Sequence, residues 1–176
     1  MSNKKCLLVI DVQNGMFSLP RKLFNSDAIL DNIIFLIEKA RKENAIIIYM
    51  QHCGNENSPF KEGSKGWKIH PKVLPNENDI VIEKTHPDSF QDTKLNDILK
   101  NNNINSIVIC GFVTEGCVDT TIRRAGSLGY NLEVAKDCHS TTDSRVLTAE
   151  QIINHHNEVF KIFSSVKRSK EITFKI

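Results

Sequence analysis

The sequence predicts an α/β fold, a parallel sheet covered by helices on both faces. Two observations carry this. Strand-like apolar runs alternate with helix-like segments along the whole chain. Several of those runs are continuously apolar, as in strands buried on both faces. The 176 residues suit one domain, expected over 1–176, and no repeat, low-complexity tract or linker divides it.

The first strand is read at 5–11, and Asn14-Gly15 turns the chain. A helix is expected at about 27–43, with Ser26 as N-cap and Ile29, Ile33, Ile37 and Ala40 facing inward. The second strand is 45–51. From 52 to 78 regularity is lost among Gly, Pro and Asn. A loop this long in a compact domain is usually functional, and it is expected to be anchored by Trp67 while walling a pocket. The third strand is 79–83, with Lys84 at its end. A short helix at about 93–101 takes Asp92 as N-cap. The fourth strand starts at Ile107 and is broken by Gly111. The helix after it stops at Gly129. The fifth strand is 131–135, followed by Asp137-Cys138-His139-Ser140. A helix at about 144–156, a sixth strand at 158–163 and a basic surface segment at 164–176 complete the chain.

The formal net charge of +2 gives no reason to expect a nucleic acid or an anionic membrane as partner. No run reaches membrane-spanning length and the start lacks a signal-peptide core, so a cytoplasmic protein is expected. The five cysteines are irregularly spaced and no Cys-x-x-Cys occurs, so reduced thiols are the default.

Chemistry concentrates around 107–124 (IVICGFVTEGCVDTTIRR). Cys117 falls where a strand hands over to a helix. A helix N-terminus lowers a thiol's pKa, and its free N–H groups can hold an oxyanion. A small buried cysteine in a turn is the plainer reading. Asp11 and Lys84 end other strands at the same sheet edge. Parallel neighbours lie about 5 Å apart, so such residues can meet if the strands adjoin. A thiol nucleophile, a carboxylate that moves its proton and an ammonium that keeps the carboxylate ionised make sense together. Singly, Asp11 could cap a turn and Lys84 could be a solvated charge.

Residues 7–17 (LLVIDVQNGMF), 63–71 (GSKGWKIHP), 82–90 (IEKTHPDSF) and 108–123 (VICGFVTEGCVDTTIR) resemble the isochorismatase-like cysteine hydrolases. That family includes nicotinamidases and N-carbamoylsarcosine and ureidoacrylate amidohydrolases. The resemblance implies a three-layer α/β/α fold with a six-stranded parallel sheet. It implies Asp11 as general acid/base, Lys84 as charged partner and Cys117 as nucleophile. It also implies a cis peptide between Phe112 and Val113 and an oxyanion hole from the N–H groups of Val113 and Cys117. Thr114 would support the turn and Gln13 would order groups near Asp11. Phe17, His52, Trp67, His86 and Phe112 are the expected pocket wall.

Departures narrow the activity. The Asp-x-His metal motif of nicotinamidases is replaced by Gln51-His52-Cys53-Gly54. No metal and no cofactor is therefore expected, although His52, Cys53, His70 and His86 are metal-ligating types. Isochorismatases cleave a vinyl ether without needing the cysteine, so Cys117 favours a C–N bond in a small amide, carbamoyl or ureido compound. Ser64, Gly66, Trp67 and His70 resemble a small-amidase branch. The alternatives are an isochorismatase, a nicotinamidase, or a thiol redox or binding protein with Cys138 as resolving thiol. A small-molecule substrate and a homodimer or larger homo-oligomer are expected.

Overall fold

A computed structural model describes residues 4–175. Six parallel strands form one sheet: β1 (Lys4–Ile10), β2 (Ile46–His52), β3 (Ile80–Lys84), β4 (Ile104–Phe112), β5 (Asn131–Ser140) and β6 (Ser165–Lys167). Their order is β3-β2-β1-β4-β5-β6. The chain builds outward from β1 to one side, then restarts at β4 and builds to the other. The β1/β4 boundary is thus the switch point, where ligands bind beyond the carboxyl ends of the strands.

One helix covers one face: α1 (Ser26–Lys42) buries Leu30, Ile33, Leu36, Ile37 and Ala40 against Leu7, Val9, Ile47 and Val108. Three helices lie on the other side: α2 (Leu95–Asn101), α3 (Asp119–Ser127) and α4 (Ala149–Phe160). Leu95, Leu99, Ile122, Ala125 and Phe160 pack there against Leu8, Ile10 and Ile109. The strands are apolar on both faces because both faces are covered.

Several boundaries differ from the sequence reading. Asn25, in a left-handed conformation, precedes α1, so Ser26 is its first residue rather than its cap. At α2 the Thr93 hydroxyl, not Asp92, accepts the Leu95 N–H. Thr148 caps α4 in a reciprocal box with Gln151, while Ser144 closes the preceding turn by accepting the Leu147 N–H. The expected sixth strand at 158–163 is a correction: it is the end of α4 and a turn, and β6 lies later. Phe160 is buried there while Ile162 points to solvent, and a short apolar run does not distinguish the two periods.

The segment after β6 is also not a surface tail. Ile172 and Phe174 are buried in the core on the α1 side. The Asp137 carboxylate accepts from the Ser169 N–H and hydroxyl, and the Glu43 carboxylate accepts from the Phe174 N–H. Among the described residues no helix is long and apolar enough to cross a membrane.

Candidate active site

Asp11 leaves β1 with φ 53°, a left-handed backbone uncommon outside Gly that Asp and Asn adopt more readily than other residues. Its N–H donates to the Met50 carbonyl and its carbonyl accepts from Gln13, which fixes the reversal. The carboxylate is wholly buried. Lys84 Nζ donates to Asp11 Oδ2 at 2.8 Å and to the His86 carbonyl at 3.1 Å. The two strands are not neighbours, since β2 lies between them. The lysine stem spans that extra strand, with His52 of β2 paired opposite Lys84.

Cys117 arrives from the other side of the switch point. Gly111 pairs with Ile10 in the β1/β4 ladder, and a Cβ on it would stand 2.0 Å from the Ile10 carbonyl oxygen. Its φ of 127° is one that L side chains rarely adopt. Only glycine lets the strands close there. The Phe112–Val113 peptide is cis. Residues Thr114–Val118 then form an irregular wide turn, kinked at Gly116, before α3. The Val113 carbonyl accepts from the Gly116 and Val118 N–H groups. These bonds engage the amides on either side of Cys117 and leave its own N–H outside them.

The thiol, carboxylate and ammonium adjoin. Burial pushes the Cys117 thiol up to about 12, Asp11 adds to the rise and Lys84 opposes it. The lowered thiol pKa expected from the helix terminus is therefore a correction. The irregular turn separates Cys117 from the regular start of α3, and desolvation beside a carboxylate raises the thiol's pKa. Burial pulls Lys84 down, but Asp11 and then Cys117 more than offset it, so its pKa is raised. The resting set is a neutral thiol beside an ammonium–carboxylate pair. Asp11 Oδ1 is buried with no hydrogen-bond partner.

The expected wall residues do not line one common cavity. His52 lines a cavity of about 480 Å³ with Asn55 and Ser58, and Trp67 lines one of about 630 Å³ with Glu62 and Gly63. Cys53, Gly54 and Thr85 line both. Trp67 also anchors its loop, donating from Nε1 to Cys53 Sγ at 3.2 Å. Burial lowers the His52 pKa, partly opposed by the Asp11 charge, and its Nδ1 has no partner. Phe17 lies across the 55–70 loop in a third cavity of about 620 Å³, with its ring 4.6 Å from that of His70. Phe112 is a correction: it is wholly buried and meets Phe17 edge-on beneath the surface. His86 is half-buried and lies 3.2 Å from Asp92.

Gln13 acts on the loop rather than on the Asp11 side chain. Its amide donates to the carbonyls of His52 and Trp67 and accepts the His52 N–H. Thr114 bonds to a residue the sequence reading passed over, His139, whose other nitrogen meets Asn157. Among the described residues no cluster of three His, Cys, Asp or Glu could hold a metal. Cys138 is buried in the core on the α1 side, whereas Cys117 packs against the opposite one, so the fold does not bring the two thiols together.

Comparison with known proteins agrees with this architecture. A family model of the isochorismatase domain matches residues 5–161. The chain is 33% identical to a secreted isochorismatase effector of Verticillium dahliae, over 94% of this chain and 88% of that one. It is 31% identical to a streptothricin hydrolase of Streptomyces noursei, over 79% of this chain and 55% of that one. An isochorismatase crystal structure from Pseudomonas putida superposes with a TM-score of 0.91 at 31% identity, covering 96% of this chain and 90% of that one. With its parallel sheet and its strand-end residues, the chain belongs to the isochorismatase family of hydrolases.

Proposed function

We propose that the chain hydrolyses a C–N bond in a small amide, carbamoyl or ureido compound through a Cys117 acyl-enzyme. One observation carries the reading: Asp11, which adjoins Cys117, is held by Lys84 through Oδ2 while its Oδ1 is buried with no partner. A carboxylate so placed can take one proton on Oδ1 while Oδ2 keeps its hydrogen bond from Lys84. Asp11 Oδ1 accepts the thiol proton as Cys117 Sγ attacks the substrate carbonyl carbon. The oxyanion forms against the N–H groups of Val113 and Cys117. Asp11 then delivers that proton to the leaving nitrogen as the C–N bond breaks. Water, deprotonated by Asp11, cleaves the thioester or thiocarbamate and restores the thiol. Lys84 keeps the carboxylate ionised between proton transfers. The cavities beside His52 and Trp67 would take the rest of the substrate.

The test is ammonia or amine release from a panel of small amides and carbamoyl compounds, with intact-mass detection of the acyl adduct. Release by the wild type and none by Cys117→Ala supports the reading; full activity of Cys117→Ala or Asp11→Asn would sink it. The identity to an isochorismatase effector favours a second reading, vinyl-ether hydrolysis of isochorismate. Turnover of isochorismate by Cys117→Ala at the wild-type rate would select it. We also propose a homodimer or larger assembly; a monomer by light scattering at micromolar concentration argues against that.

A further inference from the structure

We propose that His139 is a positioning residue for the nucleophile, tying Thr114 and the turn that carries Cys117 to α4 through Asn157. The inference rests on the reading of Cys117 as the reactive thiol. His139 Nδ1 lies 2.9 Å from the Thr114 hydroxyl, and Nε2 lies 3.1 Å from Asn157 Oδ1. An amide oxygen only accepts, so Nε2 carries the proton and Nδ1 accepts from the hydroxyl. Burial lowers the His139 pKa to about 4, so this neutral tautomer persists at ordinary pH. Thr114 and His139 are both wholly buried, and the Phe160 ring packs edge-on against the imidazole at 5.6 Å.

The turn needs such a tether. It is not a regular helix, and Gly116 breaks its dihedrals at φ −103°, ψ −107°. Thr114 directly follows Val113 and precedes Cys117 by three residues, so fixing its side chain fixes both amides offered to the oxyanion. The sheet aims His139 at this point. The β4/β5 register runs from Ile109 opposite Val134 to Gly111 opposite His139. Six residues of β5, 134–139, thus match three of β4, 109–111, and the bulge carries His139 to the end of β4.

The test reads the thiol without any substrate, so it stands whether or not the C–N reading does. Iodoacetamide labelling at pH 8 is followed by peptide mapping, with the buried Cys6 and Cys110 as internal reporters of global opening. A loosened turn rehydrates the Cys117 thiol, and one unit of pKa relief raises its labelling rate about tenfold. That rise is expected for Thr114→Val and for His139→Phe, with Cys6 and Cys110 unchanged. The double variant should label no faster than either single one, since both break one tether. His139→Gln, whose carboxamide can accept and donate as the imidazole does, should return the rate toward wild type. If His139→Phe does not fold, Thr114→Val decides alone. Wild-type labelling of Cys117 in Thr114→Val, or labelling of Cys6 and Cys110 rising in step, overturns the proposal.

Discussion

Asp11→Asn isolates the charge of the buried pair. Asn tolerates the left-handed backbone at this position, and its amide oxygen can still accept from Lys84. What disappears is the negative charge facing an ammonium whose side chain is 0% exposed. In the wild type burial pulls the Lys84 pKa down, and Asp11, helped by Cys117, more than offsets it. Without that carboxylate burial prevails and Lys84 folds as the neutral amine. Its folded pKa then falls below the unfolded value of about 10.4. The unfolded chain binds one more proton than the folded one, so the variant's stability rises with pH by about 1.4 kcal/mol per unit. Between about 10.4 and pH 7 that slope sets a ceiling of about 4.6 kcal/mol, and breaking a buried pair usually costs about 3–5 kcal/mol. The expected loss is about 3–4 kcal/mol at pH 7, shrinking to about 1 kcal/mol or less at pH 9. Urea unfolding of variant and wild type at pH 7, 8 and 9 measures it, and the difference removes titrations common to both. At this chain length the pH 7 loss corresponds to a Tm drop of about 6–16 °C. A loss below about 1 kcal/mol at pH 7, or one that does not shrink as pH rises, would refute the reasoning.

With the Cys117 thiol at about 12, its alkylation rate in the free protein should climb about tenfold per pH unit through pH 9. A plateau below pH 8 would mean that the thiolate is preformed. Gly111→Ala places a Cβ 2.0 Å from the Ile10 carbonyl oxygen and should cost about 2–5 kcal/mol or prevent folding. A Tm within about 3 °C of wild type would contradict that. Ile172→Ala should lose about 2–5 kcal/mol in urea unfolding, whereas Val146→Ala, 87% exposed, should stay within about 0.5 kcal/mol. Equal effects would remove the last segment from the core.

The sequence by itself determined the α/β class, five of the six strands and the residue types at three strand ends. Alternation of apolar runs with helical spacing is a local property, and so are Gly111 and the residues that flank Cys117. The chain could not tell that β3 is two strands from β1, because strand order is set by which faces pack and where crossovers run. Only the tertiary structure put Asp11 and Cys117 on the two sides of the switch point and showed that a lysine stem bridges the strand between. Only there is the thiol's burial visible, which raises its pKa, since desolvation depends on everything that surrounds a group. The last strand was misplaced because the end of α4 is apolar enough to pass for one. His139 was invisible as a partner of Thr114 because a bulge in β5 shifts the register. A register shift is decided by the neighbouring strand and leaves no mark in the local pattern.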